Sequence, residues 1–383
     1  MYRERPETGA VECRLAPTFV RFGTFEVGRL PPRSRQQWAH TLLTVAQRRP
    51  LARSVAKQLL AHRRQADDMR RLVEYVRQRC CAATVPPNDA VAFLDWVVRV
   101  TADTVARWQS LGFVHGVLNT DNMSICGLTL DDGPFGFLDR YDPTWTSNAE
   151  DWEGRYRFSE QPEVVRGNLE RLADALTLIV PAADHARLYA SVATFRPLVQ
   201  LLYLDLMRAR LGLELAESGD AQLVAELLEW MTGTVDYNAF LRALAENPPS
   251  PWNALRCEPL ESIVGGPAWP VPEHARAAWE ACLDRYRRRL ARDGPPSRMA
   301  NPEGRRAAMV VRRERMAHTN PKYVLRTHIA EEVVAAAQAG DFAPLRRLQA
   351  VLASPFVEHG PEFEAWTRPP PPSEMGRRCS CSS

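Results

Sequence analysis

The sequence predicts an α+β fold that is mostly helical, and three observations predict it. The run AVAFLDWVVRVTADTVARWQSLGF sets Val91, Leu94, Val97, Val98, Val105 and Trp108 near one face, which is the period of a long buried helix. A second amphipathic run, PEVVRGNLERLADALTLIV at 162–180, opens a mainly helical remainder that reaches to about residue 350. Strand signals are confined to short stretches, AVECRLAPTFVRFGTFEVG at 10–28 and MSICGLTLD after Asn122, where β-branched and aromatic residues gather.

Taken in order, residues 10–28 read as a strand followed by a turn at Gly23. From Ser34 to about Cys80 the chain is Arg-rich with a helical period carried by Leu42, Leu43, Val45, Leu51, Val55, Leu59 and Leu60. The turn signal PPND at 86–89 offers Asn88 or Asp89 as an N-cap for the long helix, since either side chain can accept from a first-turn N–H. That helix delivers the chain straight to His115. Beyond Asn122, two short apolar runs around Gly127 predict a hairpin that returns Asp131 close to Asn122, because equal short strands end at the same edge. The stretch DGPFGFLDRYDP reads as loop with aromatic anchors, and Pro-rich breaks fall at 248–251 and 266–272. The end, RPPPPSEMGRRCSCSS from Arg368, is low in complexity and is expected to be disordered. No internal repeat is visible.

Composition narrows the function classes. At 383 residues the chain can bury a large core in two subregions. Hydrophobic content of 45% and charged content of 25% are those of an ordinary globular protein. A net charge of +3 gives no argument for nucleic acid or an anionic membrane as a partner. Of the 49 basic residues only Lys57 and Lys322 are lysines. The eight cysteines (Cys13, Cys80, Cys81, Cys126, Cys257, Cys282, Cys379, Cys381) show no paired C-x-x-C of zinc spacing, so mostly free thiols in a reducing compartment are expected. No stretch has the length and apolarity of a membrane span, and MYRERPETGAVECR lacks a signal-peptide apolar region. With Glu4, Glu7 and Glu12 it is also a poor transit peptide.

Chemistry concentrates in HGVLNTDN, residues 115–122. A protein-kinase catalytic loop is written H-R-D-x-x-x-x-N, with the Asp facing the substrate hydroxyl and the Asn on magnesium. His115 and Asn122 fit that frame, but Val117 fills the Asp slot, and an isopropyl group accepts no proton. An Asp appears instead at Asp121. With the hairpin, Asp121, Asn122 and Asp131 would form a hard-oxygen site for magnesium on a polyphosphate. Asp121 is then available as a base or as an acceptor in the metal shell. Asp131-Asp132-Gly133 stands in the place of the kinase D-F-G. An Asn-Asp pair in a loop is more often a turn or cap; the buried helix before it and the Asp-Gly after it favour a nucleotide site. His115 is read as structural.

Here a family becomes recognisable. The stretch LGFVHGVLNTDNMSICGLTLDDGPFGFLDRYDP closely resembles the signature of the selenoprotein O family, protein adenylyltransferases of kinase-like fold. The resemblance extends to ETGAVECRLAPTFVRFGTFE, GRYRFSEQPEVVRGNLERLADAL, NPKYVLRTHIAEEVV and the closing CSS, with divergent segments near 29–85 and 290–315. It implies ATP bound flipped relative to a kinase, so that AMP passes to a Ser, Thr or Tyr hydroxyl of a protein substrate. It further implies Asp121 as catalytic base, Asn122 and Asp131 on Mg²⁺ (or Mn²⁺), and Arg14 and Arg21 of RLAPTFVR on the ATP phosphates. Guanidinium groups suit that task because they pair bidentately with phosphate oxygens and keep their charge.

The resemblance also sets expectations about what differs. Family members carry an N-lobe with a Gly-rich region and a nucleotide-gripping Lys before the ETGAV segment. An N-terminally truncated member is therefore expected, with the N-lobe largely missing. A lone C-lobe would expose an apolar cleft face. The expected layout is a remnant strand segment with phosphate-binding arginines at 1–28 and a divergent Arg-rich helical segment at 29–87. A kinase-like C-lobe with helical extension follows at 88–350, then a Pro-rich disordered tail at 351–383. Cys381 sits where many eukaryotic relatives place selenocysteine, and Cys379 makes a C-x-C with it, a candidate redox pair. The compartment expected is the mitochondrion for a eukaryotic protein and the cytoplasm for a bacterial one. The alternative to an adenylyltransferase is an inactive kinase-like module that binds nucleotide or a partner. Val117 excludes a small-molecule kinase, which needs Asp two residues after the His, and a thiol oxidoreductase lacks its βαβ context.

Overall fold

A computed structural model of the chain describes residues 15–26, 65–130, 133–233, 235–246, 273–293 and 301–380. Twelve helices of the described residues matter for the argument. They are α1 (Phe22–Glu26), α2 (Gln65–Val76), α3 (Ala90–Leu111), α4 (Gln161–Leu176), α5 (His185–Ala193), α6 (Phe195–Arg210), α7 (Asp220–Met231), α8 (Tyr237–Glu246), α9 (Glu273–Ala291), α10 (Pro302–Thr319), α11 (Thr327–Gln338) and α12 (Ala343–Ala353). The sheet among them is one antiparallel pair of two-residue strands, β1 (Phe113–Val114) and β2 (Gly136–Phe137). The mostly helical α+β class is therefore as expected. The Pro-rich breaks at 248–251 and 266–272 and most of the Arg-rich segment lie outside the described residues.

The long helix forms where its period places it. Asp89 is the N-cap and its carboxylate accepts from Ala92 N at 2.8 Å, while Asn88 takes a left-handed φ of 60° to turn the chain. All six apolar residues named from the sequence are buried, and Gly112 ends the helix at φ 69°. Each such side chain contributes about 1.5–3 kcal/mol by leaving water. Among the described residues the core falls into two large clusters and one small one. The first gathers α1 to α5 and the start of α6; the second gathers the end of α6 with α7, α8 and α9, plus Val114, Leu138 and Trp145; the small one joins α11 to α12 through Ile329, Val333 and Leu348. One short element differs from expectation. FGTFE, expected as a turn after a strand, forms α1, because Phe22 and Phe25 bury completely and need helical spacing to reach the same core.

Charged residues in the second subregion are buried in pairs. Asp220 is fully buried and accepts from Arg289 Nε at 2.6 Å and Arg208 Nε at 2.7 Å. Asp293 takes Arg312 Nη2 at 3.2 Å and Arg289 Nη1 at 3.3 Å, so α6, α7, α9 and α10 share one network. Burial pushes the Asp220 pKa up, but hydrogen bonds from Arg289, the Glu217 N–H and Arg208 prevail and hold it below the usual value. A depressed folded-state pKa means the stabilisation is complete above the unfolded value of about 3.9 and is lost as pH falls through the folded value. Asp220→Asn is thus expected to cost about 3–5 kcal/mol at neutral pH. That gap should close on acidification below about pH 4. Urea melts of both proteins across this range would show it, and a gap independent of pH would overturn the assignment.

The Pro-rich end, expected to be disordered, is docked through residue 380. Trp145 Nε1 donates to Gly376 O at 3.1 Å, and Gly376 N donates to Asp139 Oδ2 at 3.1 Å. Cys379 pairs in parallel with Asn148: Cys379 N donates to Ser147 O at 2.8 Å and Ala149 N to Cys379 O at 2.9 Å. Composition marks this segment as unable to fold alone; its partners lie more than 200 residues away along the chain, where local pattern does not reach.

Candidate active site

Three anchors bring the chain out of α3 into the 115–122 loop. Tyr237 OH donates to Ser110 O at 2.8 Å, Asn238 Nδ2 donates to Leu111 O at 2.9 Å, and buried Arg210 donates from Nη1 to Ser110 O. These satisfy carbonyls that a helix C-terminus leaves open. Strand β1 then pairs Phe113 with Phe137 and Val114 with Gly136. Gln161 clamps both sides of the strand's exit, accepting from His115 N at 2.9 Å and donating to Phe113 O at 2.9 Å. His115 is buried, its ring 5.4 Å from Trp108 and 6.5 Å from Phe113, consistent with the structural role read for it.

Beyond His115 the loop is tied down from outside. Gly116 has φ 81°, and a Cβ there would meet Ser147 Oγ at 2.6 Å, so only glycine lets the 147–148 segment approach. Asn148 Nδ2 then donates to Gly116 O at 3.2 Å, and Asn168 Nδ2 of α4 donates to Leu118 O at 2.9 Å. Asn119 caps the 3-10 turn Thr120–Asn122, its Oδ1 accepting from Asp121 N at 3.0 Å. Asn122 donates from Nδ2 to Val117 O at 2.9 Å. Val117, in the slot where a kinase base would stand, therefore contributes a backbone carbonyl.

The segment before α1 lies across this turn. Arg21 bridges Ser124, with Phe22 N on Met123 O at 3.0 Å and Ile125 N on Val20 O at 3.1 Å. The Arg21 guanidinium donates through Nη1 to the backbone carbonyl of Asp121. Thr120 Oγ1 donates to Glu26 Oε2 at 3.1 Å from the other end of α1. Asp121 is half-buried; burial raises its pKa and the Arg21 charge opposes the rise.

Of the site residues expected from the sequence, the structure thus brings Arg21, Asp121 and Asn122 together. Arg14, Asp131 and Cys381 lie outside the described residues. The hairpin expected after Asn122 is replaced by other pairings: Ser124 with Arg21, and 136–137 with 113–114. Residues 124–127 make a tight turn, and Trp108 Nε1 donating to Thr129 Oγ1 at 3.0 Å holds the next residues against α3. Hydrogen bonds to α3 and to the Arg21 segment outcompete a strand pair of that length. Among the described residues no three His, Cys, Asp or Glu side chains come together as a metal site. The donors present nonetheless suit a hard cation. The Asn122 amide spends an N–H on Val117, and its oxygen accepts no hydrogen bond among the described residues, so a carbonyl oxygen and, on the preceding residue, a carboxylate are on the turn as hard donors. Cys379 is half-buried, and burial first and Glu331 second push its thiol pKa up, which disfavours the reactive thiolate.

Sequence reasoning read Gly23 only as a turn and missed Glu26, Asn148, Gln161 and Asn168. All five act on residues far along the chain, and only Gly23 carried any local signal, a glycine inside FGTFE.

An arginine locked to a histidine-led loop that carries Asp and Asn is the arrangement expected of a nucleotide-handling enzyme. Residues 1–353 match the family described as Protein adenylyltransferase SelO, and the chain belongs to that family. Relatives described as Protein nucleotidyltransferase YdiU include that of Chromohalobacter salexigens, 41% identical over all of this chain and 65% of its own length. Those of Stutzerimonas stutzeri and Myxococcus xanthus are 37% and 36% identical, again over all of this chain and over 67% of their lengths. The chain thus spans about two thirds of the length of these relatives.

Proposed function

We propose that the site transfers AMP from ATP to hydroxyl groups of Ser, Thr or Tyr on other proteins, with Mg²⁺ as the cofactor. Family membership supports the reaction class, and the observation that carries the residue assignment is the Arg21–Asp121 lock. It ties a permanent cation to the backbone of the turn that carries Asp121, and the amide oxygen of the next residue, Asn122, accepts no hydrogen bond among the described residues.

The steps follow from these groups. Arg21, with Arg14 by resemblance, takes the phosphate oxygens and orients the chain of phosphates. The acceptor hydroxyl oxygen attacks the α-phosphorus while its proton passes to the Asp121 carboxylate. The α-phosphorus–oxygen bond to the β-phosphate breaks, and pyrophosphate leaves with that electron pair. Asn122 Oδ1 and the Asp131 carboxylate would hold the metal ion, which when bound offsets the phosphate charge. With the α-phosphate at the reacting centre, no base is needed at Val117. The cognate relatives are bacterial, and the bacterial cytoplasm is the compartment carried forward. No helix among the described residues is long and apolar enough to cross a membrane.

The test follows where label goes. ATP labelled at the α-phosphate should mark protein substrates, and ATP labelled at the γ-phosphate should not. Transfer from the γ position would make the protein a kinase. Nucleotide binding with no transfer from either would support the non-catalytic module instead.

A further inference from the structure

We infer that Gly23 is a positioning residue for the Asp121 carboxylate. Gly23 is buried in the first turn of α1, and its φ is not in the left-handed region. Nothing in its backbone therefore demands glycine, and alanine is ordinarily the more stable helical residue. What demands it is space. A Cβ at this position would stand 3.1 Å from Asp121 Cγ, 3.4 Å from Asp121 N, and well inside contact of Asp121 Oδ1. The three nearest atoms all belong to Asp121, so the hydrogen of Gly23 leaves the volume that the carboxylate occupies. The helix backbone forms one wall of the site, and this wall contributes to the burial of Asp121.

The two ends of α1 fix that wall. Arg21, one residue before the helix, holds the Asp121 carbonyl, and Glu26, its last residue, holds Thr120 Oγ1 at 3.1 Å. The backbone of the 120–121 turn cannot retreat, so an added methyl must be accommodated by rotation of the carboxylate. The fold survives this and the proton acceptor moves. A misplacement of about 1 Å at a reacting group costs on the order of 100-fold in rate.

This inference rests on the adenylyl-transfer reading for its kinetic arm but not for its structural one. In the kinetic arm, Gly23→Ala should lower kcat for AMP transfer by about 10- to 100-fold, with KM for ATP within about twofold because Arg21 is untouched. In the structural arm, melting temperatures are compared in two backgrounds. Gly23→Ala should leave the melting temperature of the otherwise unchanged chain the same or lower. In an Asp121→Ala background, where the space is vacated, it should raise it by about 2 °C. Equal shifts in both backgrounds would overturn the steric assignment, and unchanged kcat would overturn the positioning role. Wild-type protein that transfers no AMP refutes the reaction and leaves the thermal comparison to decide the role of Gly23.

Discussion

Asp121→Asn is expected to lower the turnover of AMP transfer by about 100- to 10,000-fold, the range that a positioned acid or base supplies. The amide keeps the shape of the carboxylate, so the Asn119 cap on its backbone N–H and the Arg21 contact to its carbonyl persist. What disappears is an oxygen able to take a proton. KM for ATP should change little, since the proposed assignment gives the phosphate contacts to Arg21 and Arg14. Substitution at Val117 is a useful contrast, because this residue meets Asn122 through its carbonyl, and Val117→Ala should leave turnover near wild type. Steady-state kinetics separate the outcomes. Retention of transfer within about tenfold in Asp121→Asn would remove Asp121 as the base.

Arg210→Met should give the largest loss of stability, about 3–6 kcal/mol, as several buried acceptors lose their donor at about 1–3 kcal/mol each. Arg210 donates to Asn320 Oδ1 at 2.8 Å, to Asn238 Oδ1 at 2.9 Å and to the carbonyl of Ser110, and its own exposure is 2%. Methionine fills much of the volume but satisfies none of these oxygens. The effect should also reach the site, because Ser110 closes α3 five residues before His115. We expect lower melting temperature together with early exchange of the 110–115 amides in hydrogen-exchange measurements. A variant as stable as wild type would mean that these oxygens find water instead.

The two residues differ in how far sequence alone could find them. Asp121 is legible because its chemistry is local. A helix with a clear apolar period runs into a histidine, and Asp-Asn follows within one turn. Arg210 is one of 47 arginines, and nothing in its neighbourhood separates it from the solvated ones. Its partners lie 28, 100 and 110 positions away. The hairpin expected after Asn122 shows the same limit from the other side. Two apolar runs around a glycine satisfy a local rule, yet a four-residue strand pair is worth little, and the Arg21 segment and α3 supply better partners.

What the sequence by itself determined is the helical class, α3 with a cap at Asn88 or Asp89 and six apolar residues on its buried face, and the place of the loop with Asp121 and Asn122 on it. These follow from propensity, period and side-chain chemistry, which act over a few residues; Arg21 is singled out by resemblance alone. Only the tertiary structure decided that FGTFE is a helix whose glycine faces a carboxylate, that Gln161 and Asn168 hold the loop from α4, and that the Pro-rich end docks on the 145–149 segment. Those outcomes depend on which distant backbone groups remain unsatisfied once the cores have closed, and a buried donor or acceptor takes whatever partner the packing brings to it.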